Sequence, residues 1–342
     1  MPALEFEEWS HIYLASPLLH DLGLAWPIGW LAESDTGAPV GYLGNIPLDY
    51  ELGARRLVAA ATNAWVVDEG HRSASLLLLR AFFRQPAADL FLTTTANWNS
   101  GRALEAMRVR RTPVEACDVC LYWITEHRGF FTSALRKKNW RLPPAVTAIG
   151  SAGAAGFDHV QRAIRLPRKP GHVKVEWLSR FDGRFDRFWE MRRRDESLRF
   201  TRDRRSLTWL LEPQLRKHKA WIVTAETGGQ MIGYGILLRR DNPDIGLTRM
   251  RLVDLQFRDG AADAVAAILS DALARCRRDG IHVVEAVGFN PAKRVQLKAL
   301  GARQRRLGPW PFYYRARPDF LREALQRGDS WDPCELDGDG CF

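Results

Sequence analysis

The sequence contains no apolar stretch approaching the roughly 20 residues that cross a bilayer. Its opening, Met-Pro-Ala-Leu-Glu-Phe-Glu-Glu, lacks the basic segment and apolar core of a secretion signal. Together these absences make the cytoplasm the expected location. Cysteine is scarce as well: Cys117, Cys120, Cys276, Cys334 and Cys341 are odd in number and scattered, which suits reduced thiols better than a disulfide framework. Cys117 and Cys120 form a C-x-x-C pair with no second pair and no nearby histidine cluster. Zinc is therefore not expected, and two small residues in a strand account for the spacing, with a redox role as the alternative.

The chain has 342 residues, 46% of them hydrophobic and 26% charged, a composition of soluble globular proteins. Single cores stop growing near about 250 to 300 residues, so two domains are expected. The net charge of +10 is uneven: residues 1–150 carry 14 basic against 15 acidic side chains, residues 151–342 carry 36 against 25. An anionic substrate, a nucleic acid or an anionic surface would be drawn to the second half, and a solvated arginine-rich face accounts for the same excess.

Along the chain, periodicity predicts a helix over 4–14, a hairpin over 28–47, a strand over 56–67, a helix over 73–84, a strand over 89–94 and a helix over 99–108. A strand pair at 114–125 closes this first part. Residues 126–170, with the basic cluster Arg136-Lys137-Lys138, the Pro143-Pro144 break and the small-residue run 150–156, read as a linker. The second part opens with a strand at 173–178 and helices at 185–195 and 204–211. Strands follow at 220–225, 231–240 and 249–257, with a tight turn at Thr227-Gly228-Gly229-Gln230. A helix to Arg278, a buried strand at 281–287, a helix from Pro291 to Leu300 and a strand pair near 306–315 complete it. The expected divisions are 1–125, 126–170, 171–316 and an acidic tail, 317–342.

The segment 63–84 organises this reading. Its strand ends at Val67, a polar turn follows, and small residues open a Leu-rich helix. Such a turn aims backbone N–H groups and the positive end of the helix dipole at one point, where a phosphate fits; an ordinary strand-to-helix connection has the same pattern. A second signal is a duplication. The segment from Asn97 to Val109 aligns without a gap on that from Asn290 to Ala302, 193 residues later, and in both halves it follows a β-rich run behind a Leu/Ala-rich helix. That period is the size of a domain.

These two segments resemble the second signature of the GNAT superfamily of N-acetyltransferases. The turn Val67-Asp68-Glu69-Gly70-His71-Arg72-Ser73-Ala74-Ser75 is similar to its first, with Ser73 and Ser75 where glycines are usual. The resemblance implies a mixed α/β (α+β) fold of two tandem acyl-CoA N-acyltransferase-like domains, the second degenerate and shaping the acceptor cleft. It further implies acetyl-CoA or another acyl-CoA as co-substrate, bound by Val66, Val67, Arg72, Ser73, Ala74, Ser75 and Asn97, and a primary amine as acceptor. The equivalent loop of the second half carries Asp259 and Asp263, which would repel a pyrophosphate. Departures are also plain. Leu104 and Leu297 stand where such proteins often place a proton-donating Tyr, and the strand before the first loop offers Thr62 and Asn63 where a basic Glu is common. Candidate bases are therefore Asp254 and His71, with a salt-bridge role for Asp254 and a plain surface role for His71 as alternatives. Two other readings stand beside acyl transfer: a Fem-type transferase using aminoacyl-tRNA, suited to the basic second half, and a non-catalytic binding or scaffold protein that kept the fold. Arg192-Arg193-Arg194 with Arg202, Arg204 and Arg205 forms a basic rim or a solvated face, and the carboxylates Asp329, Asp332, Glu335, Asp337 and Asp339 suit a tail docking on the basic half. Asp337-Gly338-Asp339-Gly340 lacks the spacing of a calcium loop.

Overall fold

The computed structural model describes residues 6–22, 26–115, 117–140, 149–150, 152–153, 155–156, 171–192, 196–308 and 312–340. The Pro143-Pro144 break, most of the expected linker, Arg193, Arg194 and Cys341 lie outside the described residues. Where the linker reading begins, the chain forms a helix, His127–Lys137, whose N-terminal amides are capped by the Glu126 carboxylate.

The chain divides into two units, neither of them continuous in sequence. One comprises Met1–Glu115, Phe185–Pro213 and Trp310–Phe342; the other comprises Ala116–Arg184 and Gln214–Pro309. In the first unit the sheet runs β1 (Gly29–Glu33), β2 (Pro39–Leu52), β3 (Arg55–Val67), β4 (Leu90–Thr93), then β14 (Tyr313–Ala316) and β5 (Arg110–Arg111), with β8 (Leu198–Phe200) paired to β2. All neighbours are antiparallel except β3 and β4. In the second unit the order is β13 (Arg303–Arg306), β6 (Val119–Ile124), β12 (Val283–Ala286), β11 (Arg249–Phe257), β10 (Gln230–Arg239), β9 (Ala220–Thr227) and β7 (Lys174–Leu178). Here β11 and β12 are the one parallel pair. A parallel pair needs a crossover, and each is bridged by a helix, Ala74–Phe82 in the first unit and Ala262–Arg278 in the second.

The strands differ from the sequence reading in number and in pairing: β5 and β8 are not expected from it, and the pair expected at 114–125 holds the single strand β6. The pairs expected to close each half are divided: β6, from the first half of the chain, lies between β12 and β13, and β14, from the second half, lies between β4 and β5. Periodicity marks both as strands, but pairing partners are non-local and carry no periodic signal.

The local chemistry of the elements matches their residues. Gly228 and Gly229 both have positive φ, 58° and 76°, and join β9 to β10 through a two-residue turn of the kind that suits the right-handed twist of a hairpin. In the helix Ala262–Arg278 the stripe of Val265, Ile268, Leu269, Ala272, Leu273 and Cys276 is buried, as helical spacing demands. The repeated Asn has one role in both units: Asn97 Oδ1 accepts the Ser100 N–H at 3.0 Å, and Asn290 Oδ1 accepts the Lys293 N–H at 2.9 Å, each capping a nine-residue helix. Leu104 and Leu297 are core residues of those helices.

The tail is interior to the first unit, beside residues 198–202 of the basic half, and is not a surface appendage. Leu321, Leu325, Trp331, Cys334 and Leu336 are buried in the first unit, and Trp331 packs edge-on against Phe312 and Tyr314. Three of its acidic residues, Asp332, Asp337 and Asp339, are buried: Asp337 accepts the Tyr50 hydroxyl at 3.2 Å and the Cys334 N–H at 2.8 Å and lies 3.8 Å from the buried Arg202 guanidinium. The expected basic rim is correspondingly reduced. Arg202 is interior, Arg205 bonds Asp21 at 2.8 Å, and Arg204 faces Asp186 at 3.5 Å.

Candidate functional site

The site begins with a limit on strand pairing. β3 is paired to β4 only from Ala59 to Ala61, opposite Leu90 to Leu92. One step further the two strands touch through side chains, Thr62 Oγ1 donating to Thr93 Oγ1 at 3.1 Å, and β3 then runs on to Val67. In that extension Ala64 takes a left-handed conformation, φ 47°, and the register against β2 slips by one residue between Tyr42 and Gly44. This is a β-bulge at a non-glycine residue, a costly conformation that marks functional positions more often than ordinary strand. Gly44 opposite it permits the arrangement, since a Cβ there would lie 2.1 Å from the Tyr13 hydroxyl oxygen and 2.7 Å from the Asn63 carbonyl oxygen.

Beyond the bulge the loop 68–73 turns into the helix Ala74–Phe82. Asp68 and the short turn Glu69–His71 are exposed, and Ser73 has ordinary right-handed backbone, φ −62° and ψ −29°. Glycine's freedom is not needed there, which explains why serine serves. The helix is less uniformly packed than its sequence suggests: Ala74, Leu78, Leu79 and Phe82 are buried against the sheet, whereas Leu76 and Leu77 face outward.

A groove of about 680 Å³ opens beside this turn. One wall is the strand and loop, with Trp65, Val67, Glu69, Arg72, Ser75 and Leu76; the other is the start of the helix Trp98–Ala106, with Asn97, Asn99, Ser100, Arg102 and Ala103. The volume is within the usual range for small-molecule sites, about 300 to 1,000 Å³. Of the residues expected from sequence, Val67, Arg72, Ser75 and Asn97 line it. Val66 and Ser73 are exposed nearby and Ala74 is buried at the helix start. Trp65, Ser100 and Arg102 are not among the expected site residues; Ser100 and Arg102 belong to the repeated segment 97–109, and only folding brings them to the groove. The cations are partly balanced, as Arg72 Nη2 lies 2.9 Å from Glu69 Oε1 with both side chains largely in solvent.

His71 is exposed in the turn and is not among the groove-lining residues. Asp254 belongs to the second unit, where it has no solvent exposure and accepts the Tyr234 hydroxyl at 3.0 Å and the Gln256 amide at 2.9 Å. It stands two residues past the last parallel pair of β11 with β12, Leu252 opposite Ala286, just as Asn63 stands two past Ala61 in the first unit. Three of the thiols are disfavoured as thiolates by their environment: burial pushes Cys117 and Cys276 up to about 12 and raises Cys120 as well. Among the described residues no cluster of three or more His, Cys, Asp or Glu side chains is placed to hold a metal ion.

Comparison with known proteins places this architecture. No protein-family model matches the sequence, and no curated protein matches it. Solved structures do. A protein of Enterococcus faecalis V583, described as conserved, of unknown function and a probable N-acyltransferase, superposes with a TM-score of 0.55 at 13% identity over 92% of this chain and 66% of its own. A GCN5-related N-acetyltransferase from Anabaena variabilis gives 0.49 at 12% identity over 90% and 68%. A tandem GNAT protein from the clavulanic acid biosynthesis pathway gives 0.45 at 14% over 91% and 94%. The chain thus spans about two thirds of the length of the first two. At such identity the likeness is one of fold. Each unit carries a mixed sheet with one parallel pair that parts before a bulged strand, a crossover helix and an Asn-capped helix, so the chain has the GNAT N-acyltransferase fold in tandem.

Proposed function

We propose that the first unit binds an acyl-coenzyme A in the groove between β3 and the helix Trp98–Ala106 and transfers its acyl group to a primary amine. The observation that carries this reading is the coincidence, in one groove, of a helix N-terminus, two guanidinium groups and the end of a strand that has outrun its parallel neighbour. Residues and ligand chemistry fit. Arg72 and Arg102 are the cations for the phosphates, Ser75 and Ser100 add hydroxyl donors, and Trp65, Leu76 and Ala103 give an apolar bed for the pantetheine arm. Val66 and Val67 lie on the overrunning part of β3, where backbone groups serve amide partners. The bound thioester supplies an activated acyl group, and a backbone N–H of the bulged strand is the donor available to a developing oxyanion. The second unit contributes no acyl-donor site in this reading, since its equivalent helix opens with Asp263 in the first turn and Asp259 just before it.

Calorimetric titration with acetyl-CoA tests this. Wild type should bind, and Arg72→Glu or Arg102→Glu should weaken binding by about tenfold, the effect of one largely solvent-exposed charge-assisted contact. Absence of binding, or binding indifferent to both reversals, would overturn the proposal.

A further inference from the structure

The first unit contains a buried carboxylate that the groove does not explain. Asp339, carried by the tail, is 8% exposed and sits where β3 and β4 part. Its Oδ1 accepts the Thr94 hydroxyl at 2.7 Å and its Oδ2 accepts the Thr95 hydroxyl at 2.8 Å. Asn63, the residue before the left-handed Ala64, supplies a further hydrogen bond, while its own Oδ1 accepts the Tyr13 hydroxyl at 2.8 Å. The carboxylate thus links the two strands one step past the Thr62 to Thr93 contact. Gly338, φ 69°, makes the approach possible: a Cβ there would lie 2.4 Å from Thr94 Oγ1. Here lies the meaning of the Asp-Gly-Asp-Gly run. Asp337 is set against the Arg202 guanidinium, and Asp339 is presented to the strand ends.

We infer that Asp339, acting through the hydroxyl of Thr95, is the proton acceptor for the acceptor amine. This rests on the acyl-transfer reading above. Three observations carry it. The strand itself offers only Thr62 and Asn63, neither of which is basic. In the second unit the position equivalent to Asn63 holds a carboxylate, Asp254, also bonded by a Tyr hydroxyl; in the first unit the carboxylate at that level comes from the tail. Finally, Thr95 is solvent-exposed and lies two residues before Asn97 of the groove wall, so the buried carboxylate has a route to a bound amine. The step balances. The amine nitrogen forms its bond to the acyl carbon and gives one proton to Thr95 Oγ1 as the Thr95 hydroxyl proton passes to Asp339 Oδ2; the electron pair of the carbon–sulfur bond leaves with sulfur. Burial holds the Asp339 carboxyl above the ordinary carboxylate range, nearer the pH at which a base works, against the bonds from Thr94, Thr95 and Asn63, which lower it. The titratable groups around it are Tyr13 on the first helix and, two residues away on the tail, Asp337 with Arg202.

The test combines three measurements on wild type, Asp339→Asn, Thr95→Val and Thr95→Ser. They are carboxyl-carbon NMR titration, acetyl-CoA calorimetry, and thiol release from acetyl-CoA with spermidine, lysine and glucosamine as amines. One carboxyl should titrate above the usual range in wild type and vanish in Asp339→Asn. Acetyl-CoA binding should be unchanged in all four. Thiol release should fall about 100-fold or more in Asp339→Asn and Thr95→Val and return in Thr95→Ser. Thiol release that survives Asp339→Asn with binding intact overturns the base alone, as does the absence of the titrating carboxyl. Failure of wild type to bind acetyl-CoA, or to release thiol with any amine, overturns the acyl-transfer reading and the base with it.

Discussion

Replacing Trp331 with Ala tests whether the tail is core. Its indole is 2% exposed, donates Nε1–H to the Leu325 carbonyl at 3.1 Å, and lies 4.8 Å from the Tyr314 ring and 5.6 Å from that of Phe312. A buried aromatic of this size hides about 150 to 250 Å². At about 25 cal/mol per Å² that is roughly 4 to 6 kcal/mol, an upper bound because the unfolded chain already hides part of it. Measured Trp→Ala losses in cores are about 3 to 5 kcal/mol, and we expect about 4 kcal/mol here. Because the chain has two units, one unfolding curve is inadequate, so pulse-labelling hydrogen exchange across a urea series is the assay. Peptides covering β2, β3 and β4 should lose protection at lower urea in the variant, while those covering β9 to β11 keep theirs. A loss below about 1 kcal/mol, or one confined to β9 to β11, would refute the claim that the tail completes the first unit's core.

Further perturbations follow from the same geometry. Gly44→Ala places its methyl against the Tyr13 hydroxyl and the Asn63 carbonyl and should cost about 1 to 3 kcal/mol, measured by the same hydrogen exchange across a urea series in peptides of β2 and β3; a neutral result would mean that the bulge relaxes freely. Asp339 has a folded pKa above its unfolded value, so the stability it brings is full below about pH 3.9 and is lost as pH rises through the folded value. The melting temperature of Asp339→Asn relative to wild type should therefore rise from pH 4 to pH 8, and a constant difference would contradict a buried, strained charge. His282 is displaced the other way, downward by burial, so its contribution is present above about pH 6.5 and lost on acidification. His282→Gln should flatten the acid side of the second unit's melting profile. Glu285, 3% exposed, meets Arg249, Arg251 and Arg305, and its change to Gln removes the charge from all three contacts, at a cost of about 2 kcal/mol after allowance for the partial exposure of the guanidiniums.

Much of this was legible in the sequence because it is local. Alternation and helical spacing mark the longer strands and most long helices, though not Pro17–Leu22, β5, β8, His127–Lys137 or Asp319–Ala324, and the repeated Asn segments are visible because the same cap is needed twice. The loop after Val67 was readable for the same reason, since a strand, a turn and a helix start are contiguous. What escaped was non-local. The placement of β6 and β14 depends on which strand edge is open after folding, and the groove's Arg102 comes from the helix expected over 99–108, whose approach to the end of β3 is non-local. The tail departs furthest from the reading, because the carboxylates of 329–342, with no base among them, suit an appendage docked on basic surface. Burying Asp337 against Arg202, and Asp339 under two threonine hydroxyls, is a solution that only three-dimensional partners reveal.

The most direct measurement of the central claim is amide hydrogen exchange of the full chain with and without acetyl-CoA. Bound acyl-coenzyme A should slow exchange in residues 65–76 and 97–103, the two walls of the groove, and leave the acidic turn at 257–263 unchanged. Slowing at 257–263 with none at 65–76 would contradict the assignment of the acyl donor to the first unit.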